Sequence, residues 1–71
     1  MSNFIERLEV EWIELGDKIG KLEEFVQDGE VKKLDKLDQQ LISKQYSQMT
    51  DYYNTLTNRL RRAKKKAQDN G

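Results

Sequence analysis

Apolar residues recur early in the chain at a spacing that leaves little choice of fold. Ile5, Leu8, Trp12, Leu15, Ile19, Leu22 and Val26 follow one another at intervals of 3, 4, 3, 4, 3 and 4. That repeat places all seven on one stripe of an α-helix and fits no strand, whose faces alternate every second residue. Ser2 or Asn3 is positioned to cap the start, and the early glutamates suit the positive end of the helix dipole. Gln27, Asp28 and Gly29 close the segment, with the glycine free to take the left-handed turn that ends many helices. The spacing therefore predicts a helix over about residues 3–28.

A second helix is predicted over about 36–67. Residues 30–34 are too few for more than a connecting turn. Asp35 reads as the N-cap of this second helix, with Asp38 three residues on as a variant of the capping box. The expected core stripe is Leu37, Leu41, Gln45 or Gln48, Met49, Tyr52, Leu56, Leu60 and Ala63, less regular and more polar than the first. The end, from Gln68 to Gly71, is expected to fray. Two long helices joined by a short return pack side by side and antiparallel, so the expected fold is an all-α two-helix hairpin forming a single domain over residues 1–71.

Such a hairpin has little interior. The chain has 71 residues, of which 37% are charged and 35% hydrophobic, and it contains no cysteine, histidine or proline. Disulfides and the usual zinc ligands are thus ruled out, and neither a metal nor a cofactor is expected. A domain of this size needs other support, and assembly into a homo-oligomeric helical bundle is the expected form of it. No apolar run reaches the length of about 18 residues that a membrane span requires, and no signal segment is evident after the start, so a cytoplasmic setting is expected.

Net charge is zero but unevenly placed. Residues 1–30 hold nine acids against three bases, a net of −6, while residues 59–71 hold six bases against Asp69, a net of +5. An antiparallel hairpin lays the basic end, 59–66, beside the acidic start, which accounts for the asymmetry within one molecule. A nucleic-acid contact through the same cations is the other reading.

Each predicted helix carries a second stripe that one partner helix does not cover. Ile13, Gly16 and Gly20 recur at 3 and 4 on the first, with Val10 close by; Ile42, Tyr46, Met49 and Tyr53 recur at 4, 3 and 4 on the second. Each interior glycine costs about 1 kcal/mol relative to alanine, so a pair one turn apart marks a place of close approach. Ile13, Gly16, Gly20, Ile42 and Met49 are the expected oligomer interface, and Tyr52 is expected in the hairpin seam. Tyr46 and Tyr53, one heptad apart, either pack between subunits or stack on a planar ligand, in which case Lys44, Arg59 and Arg62 are the candidate phosphate contacts. No catalytic residue is assigned. The serines have no evident base partner and the carboxylate pairs sit where solvated helix faces carry them, so an enzyme is not expected.

The second helix resembles a family of small helical-hairpin proteins of crAss-like and other phages. Its pattern is Leu-Leu-x-x-Gln-x-x-x-Met-x-x-Tyr-x-x-x-Leu-x-x-Arg, filled here by Leu41, Ile42, Gln45, Met49, Tyr52 or Tyr53, Leu56 and Arg59. The first helix is similar through Phe4-Ile5-Glu6-Arg7-Leu8 and through Glu14, Leu15, Lys18, Ile19, Leu22 and Phe25. The hairpin is in turn similar in architecture to the helical domain of phage sponges that act against CBASS and Thoeris defence. That resemblance implies symmetric oligomers, often hexamers, in the host cytoplasm. It also implies a cyclic oligonucleotide or cyclic ADP-ribose-type signal held between subunits by aromatic stacking and cations, without cleavage. A host-protein adaptor or inhibitor, or a nucleic-acid-binding accessory protein, is the alternative.

Overall fold

The structure, a computed structural model, describes residues 3–69 and consists of two α-helices, α1 (Asn3–Gln27) and α2 (Lys36–Asp69), joined by a single 3-10 turn, Glu30–Lys33. The helices pack as a hairpin. The second runs as far as Asp69, past the expected end at 67; Asn70 and Gly71 lie outside the described residues, as does Ser2 at the other terminus. At about 1.5 Å per residue the 34 residues of α2 account for nearly the whole 53 Å length of the molecule, which is only 15 Å across in the other two directions. The radius of gyration is 16.1 Å, whereas a compact fold of this length has one of about 11 Å.

Backbone chemistry explains the tight return. Gly29 takes the left-handed conformation, φ 80°, and its N–H donates to the Val26 carbonyl at 3.1 Å while the Asp28 N–H donates to the Glu24 carbonyl at 2.8 Å, satisfying the end of α1. The 3-10 turn uses Lys32 N–H to the Gly29 carbonyl and Leu34 N–H to the Val31 carbonyl, both 3.1 Å. Asp35 then caps α2 as its sequence position predicts, with Oδ1 accepting from the Asp38 N–H at 2.9 Å. Gln39 adds a brace, donating from Nε2 to the Leu34 carbonyl at 2.8 Å.

The core is four buried leucines, Leu8 and Leu15 of α1 with Leu56 and Leu60 of α2, flanked by Ile5, Trp12, Ile19, Met49, Tyr53 and Ala63. The first stripe is in place as far as Leu22; Val26, at its end, is exposed. The second helix corrects the expected stripe. Leu37, Leu41 and Tyr52 are 64%, 54% and 42% exposed. The packed seam instead follows Met49, Tyr53, Leu56, Leu60 and Ala63, and the same 4, 3 repeat runs back through half-buried Ile42 and exposed Tyr46, so that the second stripe expected on this helix lies on the α1 side. The facing surface of α1 accommodates this phase. A Cβ on Gly16 would stand 3.3 Å from Cε1 of Tyr53, so this glycine makes room for the ring inside the hairpin. There Tyr53 stacks on Trp12, with centroids 5.5 Å apart and planes at 20°.

Polar contacts fix the register. Trp12 Nε1 donates to Thr57 Oγ1 at 2.8 Å, Lys64 pairs with Glu9 at 3.0 Å, and Tyr52 donates to the Glu11 carboxylate across the opposite edge. The Lys64–Glu9 pair joins the basic end to the acidic start, and being half exposed it orients more than it stabilises.

Leu56 is fully buried at the middle of this core. Leu56→Ala is expected to cost about 2–5 kcal/mol in chemical denaturation. Gly29→Ala, forced into a left-handed backbone, is expected to cost about 1–2 kcal/mol. A loss at Leu56 smaller than about 1 kcal/mol would contradict this core.

Candidate functional site

Past the Trp12–Tyr53 stack, towards the turn, the two helices do not fill the space between them. Glycines leave gaps in packed helices, and Gly20 has no atom within 4 Å of where its Cβ would be. A cleft of about 310 Å³ opens there, lined by Gly16, Ile19, Gly20, Glu23, Tyr46, Thr50 and Tyr53. A second, of about 400 Å³, continues towards the turn over Val26, Gln27, Val31, Gln39, Ile42 and Ser43. Both are of a size that holds small ligands. They share Glu23 and Tyr46, which stand at the boundary between them.

Glu23 and Tyr46 are joined directly. The Tyr46 hydroxyl donates to Glu23 Oε2 at 2.7 Å. This hydrogen bond, and then the charge of Glu23, hold the Tyr46 hydroxyl above the ordinary tyrosine value of 10.0. Thr50 lies close enough to the same hydroxyl to oppose the shift, yet its own buried Oγ1 makes no hydrogen bond of normal geometry. A helical threonine ordinarily returns its hydroxyl to the carbonyl four residues back, as Thr57 does to Tyr53 at 2.9 Å. Thr50 instead holds its buried hydroxyl near that of Tyr46, in the wall of the smaller cleft.

The residues named from sequence divide between two sides of the molecule. Tyr46 and Tyr53 both line the smaller cleft, as do Gly16 and Gly20. Lys44, Arg59 and Arg62 are exposed, and none of them lines either cleft. At about 100° per residue they sit about 140–160° round α2 from Tyr46, and the two arginines are also about 20 and 24 Å further along its axis. A single hairpin does not bring these cations to the tyrosines. Arg62 instead borders a shallow groove on α2 with Lys65, Lys66 and Asp69. Of the expected interface residues, Ile13 is exposed; Met49 and Gly16 turn inward, and Ile42 lines the larger cleft.

Glu23, Gln27, Gln39, Ser43 and Thr50 are additional residues of the site. In the sequence they look like solvated helix positions, and only the placement of the turn draws them round one space. Among the described residues, no group of three or more carboxylates is placed to hold a metal ion, and no helix is long and apolar enough to cross a membrane.

The titration behaviour of Tyr46 is directly measurable. Its folded value lies above its unfolded value, so the neutral phenol and its bond to Glu23 are kept below pH about 10 and lost as pH rises through the higher folded value. The tyrosinate absorbance of the protein minus that of Tyr46→Phe is expected to rise at higher pH than a free tyrosine, and Glu23→Gln to bring it back. A Tyr46 that ionises at or below the ordinary value would contradict the pairing.

Among families of known proteins, the profile of the one described as Sequestin matches residues 2–62. No curated protein and no solved structure matches the chain. With all but ten of its residues inside the match, the chain belongs to the Sequestin family.

Proposed function

We propose that this Sequestin family member is a phage-encoded anti-defence sponge that binds a cyclic nucleotide immune signal in the host cytoplasm and holds it without cleaving it. The observation that carries the reading is the pair of clefts around Tyr46 and Glu23: two tyrosine rings, a carboxylate, two amides, two aliphatic hydroxyls and apolar walls, a lining suited to holding a small polar ligand. The family name, which denotes sequestration, supports the same class of function, and the resemblance to phage sponges supplies the ligand class and the setting.

Gly20 adds a second line of support. Gly16 is explained within the hairpin by Tyr53, but Gly20 faces open space, and its cost of about 1 kcal/mol has no return in the folded monomer. A ligand entering the cleft accounts for it.

The signal's phosphates require cations that one hairpin does not bring to the cleft. We assign them to a homo-oligomer in which Lys44, Arg59 and Arg62 of one copy face the tyrosine cleft of the next. Self-association also covers the exposed Leu37, Leu41 and Tyr52 of α2 and Val10 and Ile13 of α1, which a four-leucine core leaves in solvent.

Calorimetry against cyclic di- and trinucleotides and cyclic ADP-ribose isomers is expected to give at least one ligand, recovered intact after heat denaturation. No heat from the whole panel at micromolar protein, or recovery of a cleaved ligand, would overturn the reading. Gly20→Ala is expected to raise the melting temperature, because alanine favours helix, and to weaken binding, because its methyl enters the cleft. Light scattering during size exclusion is expected to give a mass well above the 8.4 kDa of one chain; a clean monomer would remove the oligomer from the proposal.

A further inference from the structure

The one charged group in the lining of the two clefts is the Glu23 carboxylate, set among neutral groups that both donate and accept, the amides of Gln27 and Gln39 and the hydroxyls of Ser43 and Thr50. Glu23 is an acceptor, and its second oxygen, Oε1, remains beside the one that takes the Tyr46 hydroxyl. Gln39 has its Nε2 committed to the Leu34 carbonyl, which fixes the amide and leaves its Oε1 to accept. Thr50 Oγ1 is buried beside the Tyr46 hydroxyl. No lysine or arginine joins these groups in the lining, so the clefts carry the negative charge of Glu23 and nothing to offset it. A phosphate placed there would meet a carboxylate. A neutral, flat group that brings hydrogen-bond donors would meet acceptors, with Val26, Val31 and Ile42 for its faces.

Resting on the sponge reading, we propose that these clefts are a nucleoside subsite in which Glu23 is the recognition residue, taking hydrogen bonds from the neutral donors of the ligand and leaving its phosphate outside. The ligand's donor occupies Oε1 of Glu23, or replaces the Tyr46 hydroxyl on Oε2. Because Tyr46 stands between the two clefts, its release from Glu23 joins them into one groove reaching from Val31 to Gly16. Two chemical sources supply such donors, the ribose hydroxyls and the exocyclic amine of a base. Carboxylates bind ribose hydroxyls in dinucleotide sites for the same reason. The division of labour follows from charge: the carboxylate cleft of one copy takes the nucleoside, and cations outside it take the phosphate.

The test uses the full chain, labelled with nitrogen-15, titrated with adenosine, guanosine and inorganic phosphate. Adenosine or guanosine is expected to shift the amide signals of Glu23, Gln39, Tyr46 and Thr50, and phosphate to leave them in place. Glu23→Gln keeps the size of the side chain and an oxygen for the Tyr46 hydroxyl, so the hairpin forms, as circular dichroism checks. It is expected to weaken nucleoside binding by about tenfold or more, the effect of removing a charged acceptor. Among the arms, 2′-deoxyadenosine binding more weakly assigns the donor to the ribose, and purine riboside binding more weakly assigns it to the base amine. The subsite is overturned if phosphate shifts the cleft signals and the nucleosides do not, or if Glu23→Gln binds nucleosides unchanged. A cyclic nucleotide bound equally well by Glu23→Gln would overturn the subsite while leaving the sponge standing. Nucleoside binding with no response to any cyclic nucleotide would do the reverse.

Discussion

One contact sets the geometry of this hairpin: the ring of Tyr53, seated on Gly16 and stacked against Trp12. A methyl at position 16 would meet the ring edge at 3.3 Å, so the ring would have to give by a few tenths of an ångström. With the ring inside, the seam of α2 runs through Ile42, Tyr46, Met49 and Tyr53, and the helix presents Tyr46, Thr50 and Ser43 to the open side of the groove. The same helical phase leaves Leu37, Leu41 and Tyr52 on the exposed flank. The clefts and the exposed apolar flank thus have one origin. Trp12 secures the arrangement twice, through the stack and through its N–H on Thr57, so the phase of α2 is held by shape and by a directional bond together.

How much of this is legible in the sequence depends on where the apolar repeat is unambiguous. Helix α1 carries a single clean heptad, Gly29 and Asp35 mark the return, and the hairpin is implied by those alone. Helix α2 holds two competing registers, because tyrosines stand at both 52 and 53 and leucines at 37 and 41 lie beside isoleucine at 42. The run 42, 46, 49, 53, 56, 60 and 63 keeps the stricter repeat, whereas the stripe through 37, 41 and 52 is interrupted by glutamines, so the spacing itself favours the register that the structure adopts. The pull of the leucines at 37 and 41 hides it, because they are the more apolar residues. In the sequence the glycine pair is one feature, whereas the structure gives its members different places, Gly16 beneath a ring and Gly20 beside open space. Glu23 is hidden for a related reason: acids on a charged helix are expected everywhere, and only the tertiary path of the chain puts one against Tyr46.

The thin core gives binding an unusual weight in this molecule. Four buried leucines along a rod 53 Å long leave stability low, and any ligand or second copy that binds only the folded chain adds RT ln(1 + [L]/Kd) to it, about 2.7 kcal/mol at a ligand concentration a hundred times Kd. For a small domain that is comparable with the whole contribution of one core leucine. In the proposed oligomer, folding, assembly and capture are linked: covering the apolar flank would favour association, and a second copy would bring the charges that the cleft lacks.

A protein that works by capture also faces a different constraint from an enzyme. It gains nothing from a group that is stronger in a transition state than in the ground state, because no bond is to be broken; only the ground-state affinity and the rate of release matter. The absence of histidine and cysteine from the whole sequence is then no handicap. Slow release is favoured by dividing recognition between chemically different places, since a ligand held by its base in one copy and by its phosphate in another must let go of both to leave. A cleft that is acidic where the nucleoside sits, and cations that stand on the far side of the helix, look mismatched within one hairpin. In the proposed oligomer they would become the two halves of one grip, and the same separation would disfavour capture of free phosphate, which has only one of the two groups to offer.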